Sequence, residues 1–267
     1  MLAATDSVGR IWISATDDHA SNADVNMHLE TTEAIVAAHF APWTDLLYLA
    51  TQDGELIEID AVNGRIMRRV SVARDGRASD FAISPDGSTM AVCTRGGVLI
   101  LIDAQTLSVR RAQQLTEKQI RSICFHTSGR SVACVGDSGS VLMYDLHTNR
   151  AKTSELISTA SLFDVAMHPG GHTFAIGNRH GTVYLVDSAT LKPLCKLRGT
   201  GSVMALAFTP EGDRLVVSRL EQPPQIWNLT QLVRPLAAVR PTRDREVRAM
   251  MHTQTQTRRI DSVGVSD

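Results

Sequence analysis

The sequence has few aromatic residues and almost no net charge. Phe, Trp and Tyr make up 4% of its 267 residues, so aliphatic side chains must fill most of any core. The formal net charge is −1 at pH 7, which provides no general attraction to nucleic acid or to an anionic membrane. The length is sufficient for one or two domains with a sizeable core.

Three further absences bear on the location of the protein. No run approaches the roughly 18 apolar residues of a transmembrane helix. The N-terminal stretch lacks the positive start and the long apolar core of a secretory signal. The cysteines form no Cys-x-x-Cys pair and lie in apolar runs, as reduced, buried thiols do, at Cys93, Cys124, Cys134 and Cys195. We therefore expect an intracellular protein, cytoplasmic or nuclear, without a membrane partner.

What the sequence does contain is an internal repeat. Each unit has an apolar run that ends at Asp60, Asp103, Asp145, Asp187 or Asn228, so that the intervals are 43, 42, 42 and 41 residues. Earlier positions in the units have the same intervals of 43, 42, 42 and 41 residues, at Pro42, Pro85, Thr127, Pro169 and Pro210. Because two independent sets of positions agree, chance does not explain the repeat.

Each unit has the same order of strand and turn signals. An alternating run, such as IVAAHF at 35–40, is followed by a turn, usually with Pro and Gly, and by a second short strand. A glycine turn leads to a third strand, as in RHGTVYLVD at 179–187, and a polar turn leads to a fourth. No helical period intervenes. A four-stranded antiparallel unit repeated every ~40–45 residues is typical of a β-propeller blade, so we predict an all-β propeller.

The dipeptides that end the apolar runs extend this pattern. They are Ile59-Asp60, Ile102-Asp103, Tyr144-Asp145, Val186-Asp187 and Trp227-Asn228. Together with the glycine turns they resemble the WD-repeat family over residues 32–233. No Gly-His dipeptide opens the units and only the last unit keeps the tryptophan, so the family's Asp–His–Ser–Trp network is not expected. The resemblance implies a scaffold for other proteins that is not an enzyme and needs no cofactor.

The two ends of the chain predict the number of blades. Residues 1–30 contain three strands of a further unit whose first strand is missing. The alternating segment 246–253 is predicted to supply that strand and to close a ring of six blades, five complete and one shared. Alternatively, 246–267 is a disordered polar tail, or the chain is truncated. We divide the sequence into a propeller at 1–233 and a basic polar segment at 234–267.

The candidate partner-binding residues lie in loops. The resemblance implies that function resides in the loops of two faces. We expect one face to combine the turns between second and third strands with the segments that lead into the blades. The candidates in the turns are Asp53, Arg95, Asp137, Arg179, His180 and Glu221, and those in the segments are Arg74, Arg77 and Lys118.

Basic residues of the fourth strands raise the alternative of an RNA-associated propeller. They are Arg65, Arg68, Arg69, Arg110, Arg111, Arg150, Lys152, Lys196 and Arg198. Such a rim fits RNA or an acidic protein, but charge on edge strands also discourages edge-to-edge pairing. The near-zero net charge favours the second interpretation.

A ligand-binding or enzymatic propeller is the alternative from a different class. Residues 54–72 also resemble the repeats of quinoproteins and lactonases, which place carboxylates and metal ligands at the central channel. Only His39, Asp80 and Asp164 of the first strands are candidates for such ligands. The two histidines of HPGGH at 168–172 span a turn, so a turn role is expected rather than zinc binding. We therefore predict no catalytic residue, no cofactor and no metal.

Overall fold

The computed structural model describes residues 2–5, 10–14, 25–28, 34–42, 44–73 and 77–230. These residues form antiparallel sheets in which consecutive strands are neighbours. No helix in this part of the chain is long and apolar enough to span a membrane.

The strands are grouped as follows. The N-terminal sheet contains β1 (Leu2–Thr5), β2 (Arg10–Ser14) and β3 (Val25–His28). Blade 1 contains β4 (Ile35–Phe40), β5 (Leu46–Thr51), β6 (Glu55–Asp60) and β7 (Arg65–Ser71). Blade 2 contains β8 (Ala78–Ile83), β9 (Thr89–Thr94), β10 (Val98–Asp103) and β11 (Val109–Gln114). Blade 3 contains β12 (Ile120–Phe125), β13 (Ser131–Gly136), β14 (Leu142–Asp145) and β15 (Arg150–Thr153). Blade 4 contains β16 (Leu162–Met167), β17 (Thr173–Asn178), β18 (Val183–Asp187) and β19 (Pro193–Leu197), and blade 5 contains β20 (Val203–Phe208), β21 (Arg214–Arg219) and β22 (Gln222–Asn228).

The number of blades differs from the six that the sequence predicted. The structure shows five blades, and the last of them has three strands within the described residues. The N-terminal sheet also has three strands, and no described residue supplies the first strand that the sequence predicted for a sixth blade. The segment predicted to supply that strand, 246–253, lies outside the described residues, as does all of 234–267.

Burial follows the position of each strand in its blade. The first strands of consecutive blades contact one another around the centre. In blades 1 to 4 the second strands lie between neighbouring blades and are buried on both faces; all six residues of β9 are buried. In blade 5, β21 and β22 are only partly buried. The fourth strands form the outer rim, and all four residues of β15 are exposed. The core is therefore a ring of aliphatic side chains between the blades, as the scarcity of aromatic residues predicted.

The aspartate that ends each apolar run caps the turn to the fourth strand. Its carboxylate accepts the backbone N–H of a threonine three residues later, at 2.8, 2.6 and 2.7 Å in the pairs Asp103–Thr106, Asp145–Thr148 and Asp187–Thr190. Hydrogen bonds from these threonines lower the pKa of all three carboxyl groups, that of Asp103 to about 2. The repeated aspartate is thus a structural residue of the turn.

The glycine turn between second and third strands allows a close approach of two backbone segments. Gly97 has a φ of 81°, and its carbonyl accepts hydrogen bonds from the segment that follows β11. A Cβ atom on Gly97 would collide with the Thr116 carbonyl and would lie 2.8 Å from that of Lys118. In blade 5 a non-glycine residue, Glu221, adopts the corresponding left-handed conformation with a φ of 58°.

A buried carboxylate links blade 1 to blade 2. Glu58 accepts hydrogen bonds from the Tyr48 hydroxyl at 2.8 Å and from Arg68 Nε at 3.0 Å. Arg68 Nη1 also donates to the carbonyl of Gln105 in blade 2 at 2.8 Å. Burial raises the pKa of Glu58, but the hydrogen bonds from Arg68 and Tyr48 lower it further than burial raises it. The folded state therefore favours the ionised carboxylate.

Candidate partner-binding face

The turns and blade-entering segments of the predicted face lie together at one end of the propeller. In each blade, the backbone N–H after the second strand donates to the carbonyl just before the first strand. The donor–acceptor pairs are Gln52–Ala34, Arg95–Arg77, Asp137–Gln119, Arg179–Ser161 and Leu220–Ser202, at 2.8 to 3.0 Å. We call this end of the molecule the turn face.

The structure places most of the predicted site residues on the turn face with their side chains exposed. The exposed candidates are Asp53, Arg77, Arg95, Lys118, Arg179, His180 and Glu221. Asp137 is half-buried, and Arg74 lies outside the described residues. The seven exposed residues are spread over all five blades rather than gathered in one site.

Asp137 holds another side chain in place. It accepts a hydrogen bond at 2.6 Å from Nε of Arg121, whose guanidinium carbon lies 4.7 Å from the centre of the Phe163 ring. Burial raises the pKa of Asp137, but the hydrogen bonds from Arg121 and Ser161 and the positive charges of Arg121 and Lys118 together lower it further. Asp137 therefore positions Arg121 over an aromatic ring, a stacked arrangement that suits a guanidinium.

Every first strand contains a β-bulge at its second residue. The pairing register with the second strand shifts at this point in all five blades. The extra residues are Val36, Ser79, Arg121, Phe163 and Met204. A bulge leaves one residue unpaired and can redirect its side chain.

The five bulge residues converge on one cavity at the centre of the turn face. This central pocket has a volume of about 230 Å³ and is also lined by Asp80, Arg95 and Gln119. Small-molecule sites usually have roughly 300–1,000 Å³, so the central pocket fits a single side chain better than a cofactor. The sequence analysis missed all five bulge residues, and of the other lining residues it named Arg95 as a partner-binding candidate and Asp80 as a candidate channel ligand.

The two candidate channel carboxylates connect neighbouring blades. Asp164 is fully buried and accepts hydrogen bonds from Ser122 Oγ, Val165 N and Leu206 N, at 2.9, 2.7 and 2.6 Å. Asp80 is also buried and accepts the backbone N–H of Ile123 at 2.9 Å. These bonds run from the first strand of one blade to that of the next, so both carboxylates have a structural role.

The candidate histidines also make structural contacts. The His39 ring packs edge-on against Phe81, with ring centres 5.2 Å apart. His168 Nδ1 accepts the Gly170 N–H at 2.9 Å, so Nε2 carries the proton and donates to the Gly212 carbonyl in blade 5 at 3.0 Å. Both ring nitrogens of His168 are thus engaged, as a turn role requires. Within the described residues, no group of three or more His, Cys, Asp or Glu side chains could hold a metal ion.

Part of the basic rim is neutralised within the protein. Three of its arginines form ion pairs, namely Arg68 with Glu58, Arg69 with Glu55 and Arg110 with Asp103. Lys152 donates to the Ala189 carbonyl of the next blade at 3.4 Å. The fourth strands therefore present less free positive charge than their sequence indicates.

Comparison with known proteins identifies the repeat. Residues 109–145, which run from the fourth strand of blade 2 through the third strand of blade 3, match the family model "WD40: WD domain, G-beta repeat". The β-propeller domain of Cps50 (Swd1) from Myceliophteria thermophila has a similar fold, with a TM-score of 0.65 and 14% sequence identity over 78% of this chain and 70% of that one. Solved chains that match number 1818, so the likeness shows a common fold and not a function. No curated protein matches the chain. The predicted β-propeller fold is thus confirmed, and one of its units matches the WD40 repeat.

Proposed function

We propose that this protein is a non-enzymatic scaffold whose turn face binds a segment of a partner protein, with the central pocket as the anchor site. The observation that carries this proposal is the convergence of five bulge residues, one from each blade, on a single cavity. A pocket built from every repeat suits one anchoring side chain, which is how a few residues provide most of the affinity in protein interfaces.

The side chains of the central pocket indicate the kind of anchor. Val36, Phe163 and Met204 form apolar walls, and Asp80 in its lining is already bonded to a neighbouring blade. Arg95 is exposed at the margin and has no ion-pair partner among the described residues. We therefore assign an apolar side chain to the pocket and an acidic neighbour of that side chain to Arg95.

The structural roles of the polar residues favour this function over the two alternatives. An enzymatic propeller needs carboxylates that point free into the channel, whereas Asp80 and Asp164 bond neighbouring blades. RNA-binding surfaces combine free positive charge with exposed aromatic side chains for base stacking. Three rim arginines are paired, and the exposed large hydrophobic residues of the described chain include no aromatic one.

Affinity purification with the full chain tests the proposal. The bait variants are F163A/M204A, which removes two pocket walls, and R95E; R111E on the exposed rim is the matched charge control. Loss of a hot spot costs about 2 kcal/mol, roughly thirtyfold in affinity. Partners recovered from cytoplasmic and nuclear extracts should be lost with both turn-face variants and kept with R111E. If F163A/M204A is folded by circular dichroism and keeps every partner, the central pocket is not the anchor site.

A further inference from the structure

A second and larger cavity lies on the turn face between blades 4 and 5. Its volume is about 590 Å³. The turn of blade 4 contributes Arg179 and His180, the segment that enters blade 5 contributes Thr200 and Ser202, and the turn of blade 5 contributes Glu221. We call it the blade 4/5 cavity. It brings together three of the sequence candidates, because Arg179 and His180 of one turn lie beside Glu221 of the turn in the next blade.

A buried arginine without an ionic partner lies beside this cavity. Arg219 ends β21 at the position where the other second strands end in Thr51, Thr94, Gly136 and Asn178. Arg219 is buried, with only 3% of the residue exposed. Burial alone lowers the pKa of Arg219, and in the part of the chain that the structure describes it makes no ion pair.

The hydrogen bonds of Arg219 are incomplete. Nη1 donates to Gln225 Oε1 at 2.6 Å, and Nη2 donates to the Gly181 carbonyl at 3.3 Å. Nε is buried and has no hydrogen-bond partner among the residues that the structure describes. A buried charge with neutral partners alone is unfavourable, and an unsatisfied buried donor adds to the cost. Such a group in a native structure calls for an explanation.

Arg219 lies directly behind the cavity wall. The residue that accepts its Nη2 bond, Gly181, follows His180 of the lining. Gly199, which precedes Thr200 of the lining, packs so closely on the guanidinium that a Cβ atom there would collide with it. An anion in the cavity would therefore interact with Arg219 through protein rather than through water. Protein screens Coulombic attraction less than water does.

The balance of charge indicates the type of anion. Arg179 and Arg219 are positive and Glu221 is negative, so one positive charge remains without a counter-charge. A single carboxylate would neutralise it, whereas a phosphate, with a charge near −2, would leave an excess of negative charge beside Glu221. The hydroxyl groups of Thr200 and Ser202 can donate hydrogen bonds to carboxylate oxygens.

We propose that the blade 4/5 cavity binds a carboxylate side chain of an acidic partner segment, with Arg179 in contact and Arg219 supplying charge from behind the wall. This inference rests on the proposed function, because the carboxylate is assigned to the partner that the turn face holds. It explains why an arginine that weakens the fold occupies the end of β21.

Direct titration with a synthetic acidic peptide tests this inference without a natural partner. The probes are an acetylated, amidated tetraglutamate and the matching tetraglutamine, titrated calorimetrically into the full chain at low salt. The variants are R179Q at the surface and R219M, which removes the buried charge but keeps an apolar stem. R111Q is the control for a change of one rim charge, and F163A/M204A separates this cavity from the central pocket.

The expected result is binding of tetraglutamate but not of tetraglutamine to the wild type. R179Q should weaken binding at least about tenfold, the loss expected from a charge-assisted contact. R219M should also weaken binding, because it removes the positive charge that acts from behind the cavity wall. R111Q and F163A/M204A should bind like the wild type. R219M should also be at least as thermally stable as the wild type, because replacing a buried charge by an apolar side chain is often neutral or favourable. If R219M is poorly folded, the comparison of R179Q with its control R111Q decides the outcome.

Three results would overturn the inference. They are no binding of tetraglutamate to the wild type, an equal loss in R111Q and R179Q, and displacement of the peptide by inorganic phosphate at concentrations where acetate has no effect. The last result would identify the site as one for phosphate. None of the three would alter the affinity-purification result for the central pocket, so the two proposals can fail separately.

Discussion

Replacement of Asp164 by alanine should measure how much the carboxylate between the blades contributes to the free energy of unfolding, apart from the packing of apolar side chains. The side chain is fully buried and accepts hydrogen bonds from Ser122 in blade 3 and from the backbone N–H of Leu206 in blade 5. Asp164→Ala removes both links and leaves the Leu206 N–H buried without its acceptor. Val165 N loses less, since it also donates to Ser122 Oγ at 3.2 Å.

The magnitude follows from the two links. A hydrogen bond to a charged group contributes ~1.5–3 kcal/mol, and removing one partner of a buried charge network typically costs ~3–5 kcal/mol. We therefore expect Asp164→Ala to lower the free energy of unfolding by about 3–5 kcal/mol. Asp164→Asn keeps one acceptor oxygen, so about half of that loss is expected.

Urea denaturation followed by fluorescence and circular dichroism measures this loss. Asp45→Ala is the matched control, because Asp45 is exposed and such substitutions usually change stability by less than about 0.5 kcal/mol. A reduced m-value in Asp164→Ala would show that the blades unfold less cooperatively once the link is removed. A loss below about 1 kcal/mol, or equal losses in the Ala and Asn variants, would refute the assigned role of the carboxylate.

Three further predictions follow from single positions. G97A should lower the unfolding free energy by at least about 2 kcal/mol in urea titrations because its Cβ atom would meet the carbonyls of the adjoining segment. The neighbouring G96A should be nearly neutral, since the nearest atom to its Cβ would be 3.8 Å away; equal effects would contradict this reasoning. The pKa of Glu58 is lowered from 4.5, so its stabilisation is present above pH 4.5 and is lost as the pH falls through the lower, folded value. The E58Q variant should therefore have a lower free energy of unfolding at pH 7, and this free energy should fall less on acidification than that of the wild type. Parallel plots of unfolding free energy against pH for the two proteins would disprove the linkage. H168A should lower the melting temperature by a few degrees, whereas H172A at an exposed position should not, and equal shifts would argue against the interblade bond.

The sequence predicts the blades because each repeat contains residues that allow few conformations. Asp103 and its equivalents cap one turn, and Gly97 and its equivalents permit another, so their spacing marks the strand ends. The propeller architecture predicts that the fourth strands form the outer rim, and their basic residues agree with exposed edge strands. The structure shows five blades where the sequence predicted six, and the strand predicted to close the sixth, 246–253, lies outside the described residues. Alternation of side chains indicates a strand but does not specify its partner, so it gives the number of strands more readily than the number of blades.

The site was harder to predict than the fold. A bulge shifts the alternation of a strand by one residue, so the inward direction of Phe163 and Met204 does not follow from the period of two. A signal was nevertheless present, since the second position of the first strands differs in chemical type in every repeat. Arg219 was not among the residues that the sequence singled out, because arginine is rarely buried and its burial here depends on contacts with a neighbouring blade.

The β-bulges have a consequence for how such a protein can acquire new specificity. The first strand of blade 4 divides two tasks between adjacent residues: Phe163 lines the pocket, while Asp164 joins the blades. A mutation at a bulge position changes one of the five bulge residues of the pocket and leaves the hydrogen bonds of the ladder intact. Duplicated repeats thus provide five positions that can diverge independently, and a lineage can exchange its partner stepwise without passing through an unfolded intermediate.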